Sequence, residues 1–384
     1  MRATQRLSRR ASLVLLSTFL AGPVLGDSTG PLLSVSRLFQ AKASYAGPIA
    51  NKVAEFREDF VVGGLDFSPD GVNLAADAMV EGQDVHVRDW RNKGRLLRVL
   101  HKEALSGGGM AIRYSPDGLV LAVGNEAEKS GDRFRLVRVW NTRSWEVIQD
   151  LGDTQPASGV ITSFAFTPDG KFFVRTADRV GNPGEYMIVH RTDTWDKVWG
   201  LPTLPFIPDR LAISPDGLFV ALAGIAFEGP QPTKILIVDL SRQTVVRTIE
   251  HIFANGTPVE TLAWSPDGHL LAVGTRVSDK TSVNREAVRI FDAATGAQQV
   301  DERASDAAFV SGLQFSPDGR FLVEGHVDGK VRVWDNQHKR LLQEIPVDES
   351  FDPAICISRN SRYLAVGDGK TVSIWEFRQS SSVH

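Results

Sequence analysis

A single cysteine, Cys356, stands among 384 residues, so no intramolecular disulfide can brace this chain. Cys356 lies between Ile355 and Ile357 in an alternating, strand-like pattern, which predicts a buried and inert thiol rather than a nucleophile. Long apolar runs are missing as well. The stretch from Ala11 to Leu25 is interrupted by Pro23 and falls short of the ~20 residues a membrane helix needs. Charge is nearly balanced, with 43 Lys plus Arg against 46 Asp plus Glu and a net charge of −3, so the concentrated cations that grip a phosphate backbone are absent and nucleic acid is not an expected partner. Catalytic signatures are lacking too. There is no Cys-x-x-Cys-His haem site, no His-Glu-x-x-His zinc motif and no Asp-x-Asp-x-Asp calcium loop, and the eight histidines are scattered. No catalytic residue, metal or cofactor is assigned from the sequence.

What the chain does have is repetition. Phe67, Tyr114, Phe166, Ile213, Trp264 and Phe315 each begin a copy of one phrase: an aromatic residue or Ile, then Ser or Thr, then Pro-Asp-Gly. The Asp residues of these turns (Asp70, Asp117, Asp169, Asp216, Asp267, Asp318) fall 47, 52, 47, 51 and 51 residues apart, and a degenerate copy at Ile357–Ser361 follows 42 residues later. In the sixth unit, Val310–Ser316 alternates apolar and small polar residues before Pro317 fixes φ and Gly319 accepts φ > 0. Arg320–Gly325 is the return strand, Val331–Asp335 a third strand rich in β-branched residues, and Arg340–Pro346 a fourth. A repeat of this length with strand periodicity predicts the blades of an all-β propeller, because stacking in a ring buries both faces of each small sheet.

The phrases Ser-Pro-Asp-Gly, Leu-Ala-x-Gly and Val-Arg-Val-Trp-Asp resemble the WD40 family over about residues 51 to 378. Trp334-Asp335 is the one WD dipeptide at a third-strand end; Trp140-Asn141, Phe291-Asp292, Val238-Asp239 and Trp375-Glu376 hold that place elsewhere. The family's Gly-His dipeptide in the loop between blades is missing, although His101 and His251 sit near its position, and Asp328 alone matches the family's loop Asp. The resemblance implies a seven-bladed propeller. Since the seventh unit ends at about Phe377, its outer strand is expected from Asn51–Asp59, so that both termini share one blade and deletion of residues 51–60 would open the ring.

Residues 1–26 read as a cleaved signal peptide of an exported bacterial protein, with Arg2, Arg6, Arg9 and Arg10 ahead of the apolar stretch, and Ser8–Leu13 resembles a twin-arginine signal. Their removal lowers Lys plus Arg from 43 to 39 and moves the net charge to −7. The organisation expected is then a signal at 1–26, a lead at 27–50, the propeller at 51–378 and a short tail at 379–384, in the periplasm or secreted, with no membrane-integral segment left.

Function is expected on the connections between second and third strands. Glu126–Asp132, Asp178–Glu185, Ala226–Thr233 and Arg276–Glu286 are long inserts in units two to five, and strand geometry puts them on one face with the inter-blade loops, opposite the Pro-Asp-Gly turns. Arg179, Phe227, Arg276 and Lys280 are the expected contacts to a protein partner. Phe206, Ile207, His251, Ile252, Phe253 and Phe309 add apolar residues there, as a binding patch or as core beneath the loops. Arg138, Arg289, Arg332 and His86 recur within third strands and read as structural. Asp153, Asp209, Asp301 and Asp348 fall at comparable inter-blade positions near the channel mouth. These features predict a protein-binding scaffold. The alternative is an enzyme or a cofactor-dependent oxidoreductase subunit on the same ring, similar to lactonases or to quinoprotein dehydrogenase heavy chains.

Overall fold

Each Pro-Asp-Gly turn is tied by its own side chains. Ser68 Oγ donates to Asp70 Oδ1 (2.6 Å), Asp70 Oδ1 accepts the Val72 amide (3.0 Å), and Ser68 Oγ accepts the Asn73 amide (2.9 Å). The same three bonds recur in the next five copies. The Thr167 hydroxyl, working against burial, holds the Asp169 carboxyl below its usual range. The degenerate seventh copy keeps the design: Ser358 Oγ donates to Asn360 Oδ1 (2.7 Å), the Arg362 amide bonds the same oxygen (3.0 Å), and Ser361 takes φ 57°, where the other copies have Gly.

The computed structural model describes residues 47–79, 84–101, 111–129, 132–152, 163–176, 185–226, 233–250, 252, 258–275, 287–299, 309–348 and 352–378, with the side chains of 125–135 and 225–226 outside the description. Seven antiparallel sheets follow one another in chain order and form a β-propeller. Blade 1 holds strands Val62–Phe67, Asn73–Ala78, Val85–Asp89 and Arg95–Leu100; blade 2 holds Ile112–Tyr114, Val120–Lys129, Asp132–Asn141 and Val147–Gly152. Blade 3 is Phe164–Phe166, Phe172–Thr176, Met187–Arg191 and Lys197–Leu201, and blade 4 is Phe206–Ile213, Phe219–Ala226, Ile235–Asp239 and Thr244–Ile249. Blade 5 shows three strands among the described residues, Val259–Trp264, Leu270–Thr275 and Val288–Asp292, with a single bridge from Phe291 to Gln298 where a fourth would start. Blade 6 is Val310–Phe315, Phe321–His326, Lys330–Asp335 and Arg340–Pro346.

Blade 7 closes the ring. Ala354–Ile357, Tyr363–Asp368 and Thr371–Phe377 are completed by the N-terminal strand Ala50–Arg57, paired antiparallel from Ala50↔Phe377 to Arg57↔Thr371. The expected closing strand is therefore present, beginning one residue earlier and ending two residues sooner than the sequence suggested. Apolar clusters fill the seven seams between blades. Phe60, Leu65 and Phe67 of blade 1 meet Cys356 and Tyr363 of blade 7, and Phe321 stacks on Phe377 at 4.7 Å between blades 6 and 7. A large side chain buried in this way stabilises by roughly 1.5–3 kcal/mol.

Sheet edges are blunted. Where third and outer strands pair, the register shifts at one equivalent place in blades 1, 2, 3, 4 and 6, and the closing strand has its own shift between Lys52 and Ala54. Such bulges twist an outer strand away from edge-to-edge pairing with another molecule. Among the described residues no helix is long and apolar enough to cross a membrane.

Candidate docking face and channel mouth

Blade 2 departs furthest from its neighbours. Its second and third strands run for ten residues each, against five or six in blades 1 and 3, and stay in register from Val120↔Asn141 to Lys129↔Asp132. At ~3.3 Å per residue, about four extra residues per strand extend this hairpin by roughly 13 Å at the inter-blade-loop end. The Glu126–Asp132 insert, expected as a loop, is thus mostly strand. Blade 4 is also lengthened, its two inner strands pairing as far as Phe206↔Ala226. Arg179, Phe227, Arg276 and Lys280, the contacts expected from sequence, lie outside the described residues, as do His251 and Phe253. Phe206, Ile252 and Phe309 are buried, which places them in the core beneath this face rather than on it.

The inner strands of blades 4 and 5 carry a charged cluster at the same end. Pro208 to Arg210 contains a register shift that leaves Asp209 as the extra residue. The bulge pushes the Ile207 carbonyl against Gly224, where a Cβ would lie 1.8 Å from that oxygen. Arg210 reaches across the seam to the Glu260 carboxylate (Nη2 to Oε2, 2.9 Å) and donates from Nε to the Glu260 carbonyl. Asp209 keeps Oδ1 buried without a hydrogen-bond partner, and its Oδ2 lies 3.8 Å from Arg210 Nη1. Burial, opposed by Arg210 and reinforced by Glu260, pushes the Asp209 carboxyl up to about 6. Of the four acids singled out near the mouth, Asp153 and Asp301 lie outside the described residues, and the Asp348 amide bonds Asp368 Oδ1 (2.8 Å).

A second cluster fastens the ring where the closing strand enters blade 1. Glu58 has no exposed side-chain surface and is held by three donors: Arg88 Nε (2.6 Å), Arg88 Nη2 (2.7 Å) and His86 Nδ1 (2.6 Å). Glu58, Asp59 and His86 offer ligand atoms within 4.8 Å of one another, a spacing that could hold a metal ion. Both Glu58 oxygens are already taken by Arg88, whose guanidinium opposes a cation, so the geometry is that of a latch. At the strand's other end the Gln343 amide clamps Ala50, accepting from its N (2.8 Å) and donating to its O (3.1 Å).

The remaining third-strand cations are structural, as expected. Arg138 makes a two-pronged pair with Asp150 (2.7 and 2.8 Å), Arg332 binds Asp328 (2.6 Å) and Glu344 (3.2 Å), and Arg289 donates to the Ile252 carbonyl. Asp328 therefore serves Arg332. The Trp334 indole donates instead to the buried Glu324 (2.8 Å), which His326 also contacts (3.0 Å). In blade 3 the same places hold Arg175 and His190, Nε to Nε2 at 3.2 Å, while His190 Nδ1 faces the Trp195 carbonyl (3.1 Å). Burial first and Arg175 second push His190 down to about 4. Nearer the Pro-Asp-Gly face, the Cys356 thiol lies 3.4 Å from Asp66 Oδ1. Burial and then the Asp66 charge push that thiol up, so the thiolate that nucleophilic chemistry requires is disfavoured, in line with the inert reading.

Comparison with known proteins points to the same kind of repeat. The family model described as "WD domain, G-beta repeat" matches residues 243–282 and 301–335. The chain is similar to the COMPASS component SWD3 of Saccharomyces cerevisiae, 28% identical over 210 residues that cover 43% of this chain and 62% of that protein. It is also similar to telomerase protein component 1 of Rattus norvegicus (23% over 296 residues) and Mus musculus (24% over 289 residues), covering 74% of this chain in both cases. The chain spans 62% of the yeast relative's length and 10% of the telomerase components'. Seven small antiparallel sheets built on one tied turn, with segments from the outer strand of blade 4 to the third strand of blade 6 matched by the family model, make this chain similar to WD40-repeat proteins.

Proposed function

We propose that this propeller is an exported docking platform that grips a protein partner through the face bearing the inter-blade loops and the lengthened connections of blades 2 to 5. The observation that carries the reading is the hairpin of two ten-residue strands in blade 2, an elaboration that the ring itself does not need. WD40 propellers are typical protein-interaction scaffolds, and the similar proteins are named as components of COMPASS and of telomerase. A rigid ring that holds its loops in place lowers the entropy lost when they are ordered by a partner. Arg179, Phe227, Arg276 and Lys280 are the side chains proposed to make contact. Export rests on the Arg-rich, then apolar, first 26 residues.

The test replaces residues 126–135 by a two-residue turn. The trimmed protein is expected to fold with an unchanged melting temperature and to lose a crosslinked partner that the full chain retains. Retention of that partner at full strength would move the interface to another face. Fractionation with N-terminal sequencing checks export; a chain found only in the cytoplasm with residues 1–26 intact would contradict it.

A further inference from the structure

Asp209 is a carboxyl held in the inner wall of the ring with one buried oxygen facing no donor. Among the described residues, the charged groups acting on it are Arg210 on its own strand and Glu260 on the inner strand of blade 5; the second strand of blade 4 and Phe164–Phe166 of blade 3 contribute none, and Arg175, on the second strand of blade 3 that also packs here, bonds His190. The guanidinium of Arg210 lies between two claimants. It bonds Glu260 at 2.9 Å and sits 3.8 Å from Asp209. An ionised Asp209 competes for that guanidinium, whereas a protonated one leaves it to Glu260. Position matters as much as chemistry: Arg210 to Glu260 crosses the seam between blades 4 and 5, and Trp264 Nε1 donates across the same seam to the Ala212 carbonyl (3.1 Å). The register shift at Asp209 and the close approach of the Ile207 carbonyl to Gly224 set the backbone here, so the cluster is built into the strand pairing.

We propose that Asp209, Arg210 and Glu260 form a proton-sensitive tie across the seam between blades 4 and 5, tight when Asp209 is protonated and slack when it is ionised. The folded carboxyl, at about 6, binds its proton more firmly than an exposed Asp at 3.8, so the closed seam is favoured as the pH falls through that window. Linkage between those two values makes the seam about tenfold more open at pH 7.5 than at pH 5. This device stands independently of the docking reading, because its readout needs no partner.

The experiment follows exchange of the Trp264 indole N–H in the full chain at pH 5 and 7.5, corrected for the intrinsic pH dependence of exchange. Protection about tenfold higher at pH 5 is expected. Asp209→Asn is expected to show the high protection at both values, and Glu260→Gln the low protection at both. Equal protection of the unmutated protein at the two values, or a pH dependence that survives in Asp209→Asn, would overturn the proposal. A carboxyl-carbon titration of Asp209 in the unmutated protein supplies the variant-free check: a midpoint near 6 supports the tie, and one in the ordinary Asp range refutes it.

Discussion

Replacing Glu58 by Ala opens the ring at its closure. Glu58 is fully buried, and its removal leaves Arg88, only 14% exposed, with the Gly94 carbonyl (2.8 Å), His86 Nδ1 (3.3 Å) and a place 5.6 Å above the Phe56 ring as its remaining contacts. Breaking a buried pair by deleting one partner costs about 3–5 kcal/mol. The lower end applies here because Arg88 keeps those three contacts, giving about 3 kcal/mol and a fall in melting temperature of about 6 °C at the ~2 °C per kcal/mol typical of larger domains. The loss should be local before it is global. In the closing strand only Ala50 and Phe56 are buried, so the strand depends on its two ends, the Gln343 clamp and the Glu58 latch. Hydrogen exchange should accelerate first in Ala50–Arg57 and in Thr371–Phe377, which pairs with it. A double-mutant cycle with Arg88→Ala should return a coupling energy of roughly 1–3 kcal/mol. A cost below about 1 kcal/mol, or a coupling near zero, would refute the latch.

Other positions test the account separately. Gly224→Ala places a methyl where a Cβ would meet the Ile207 carbonyl at 1.8 Å, so a loss of at least ~2 kcal/mol in chemical denaturation is expected, and a neutral variant would mean that the bulge can relax. His190 titrates at about 4 in the folded chain against 6.5 when exposed, so the unfolded state binds more protons between those values. Stability conferred there is complete above pH 6.5 and declines as the pH falls toward 4; His190→Gln should flatten that part of the stability profile, and an unchanged slope would contradict the assignment.

The fold was legible because its signal is local and repeated. A turn that ties itself through Ser, Asp and Gly fixes the hairpin wherever it occurs, and even the Ser-Arg-Asn-Ser copy keeps enough donors and acceptors to be recognised. The closing strand followed from counting, since a ring lacking one outer strand must take it from the other terminus. The clusters were much harder to see. Glu58 meets His86 and Arg88 from 28 and 30 residues away in a different blade, and no periodicity links them. Glu324 and Arg175 did leave a trace: each stands eight residues after the turn's Ser or Thr, where the other units have Ala76, Val123, Leu222, Val273 and Val366. A charge in an otherwise apolar column marks a buried polar pair, and aligning the units would have revealed both. Asp209 was noticed for its position near the mouth, but its missing donor depends on a bulge that sequence does not display.

The docking face is tested most directly by quantitative crosslinked capture with the tagged full-length chain beside an Arg179→Glu/Arg276→Glu variant of matched melting temperature. The account predicts one partner enriched by the unmutated chain and lost from the variant. A partner held equally by both, or no specific partner at all, would contradict it.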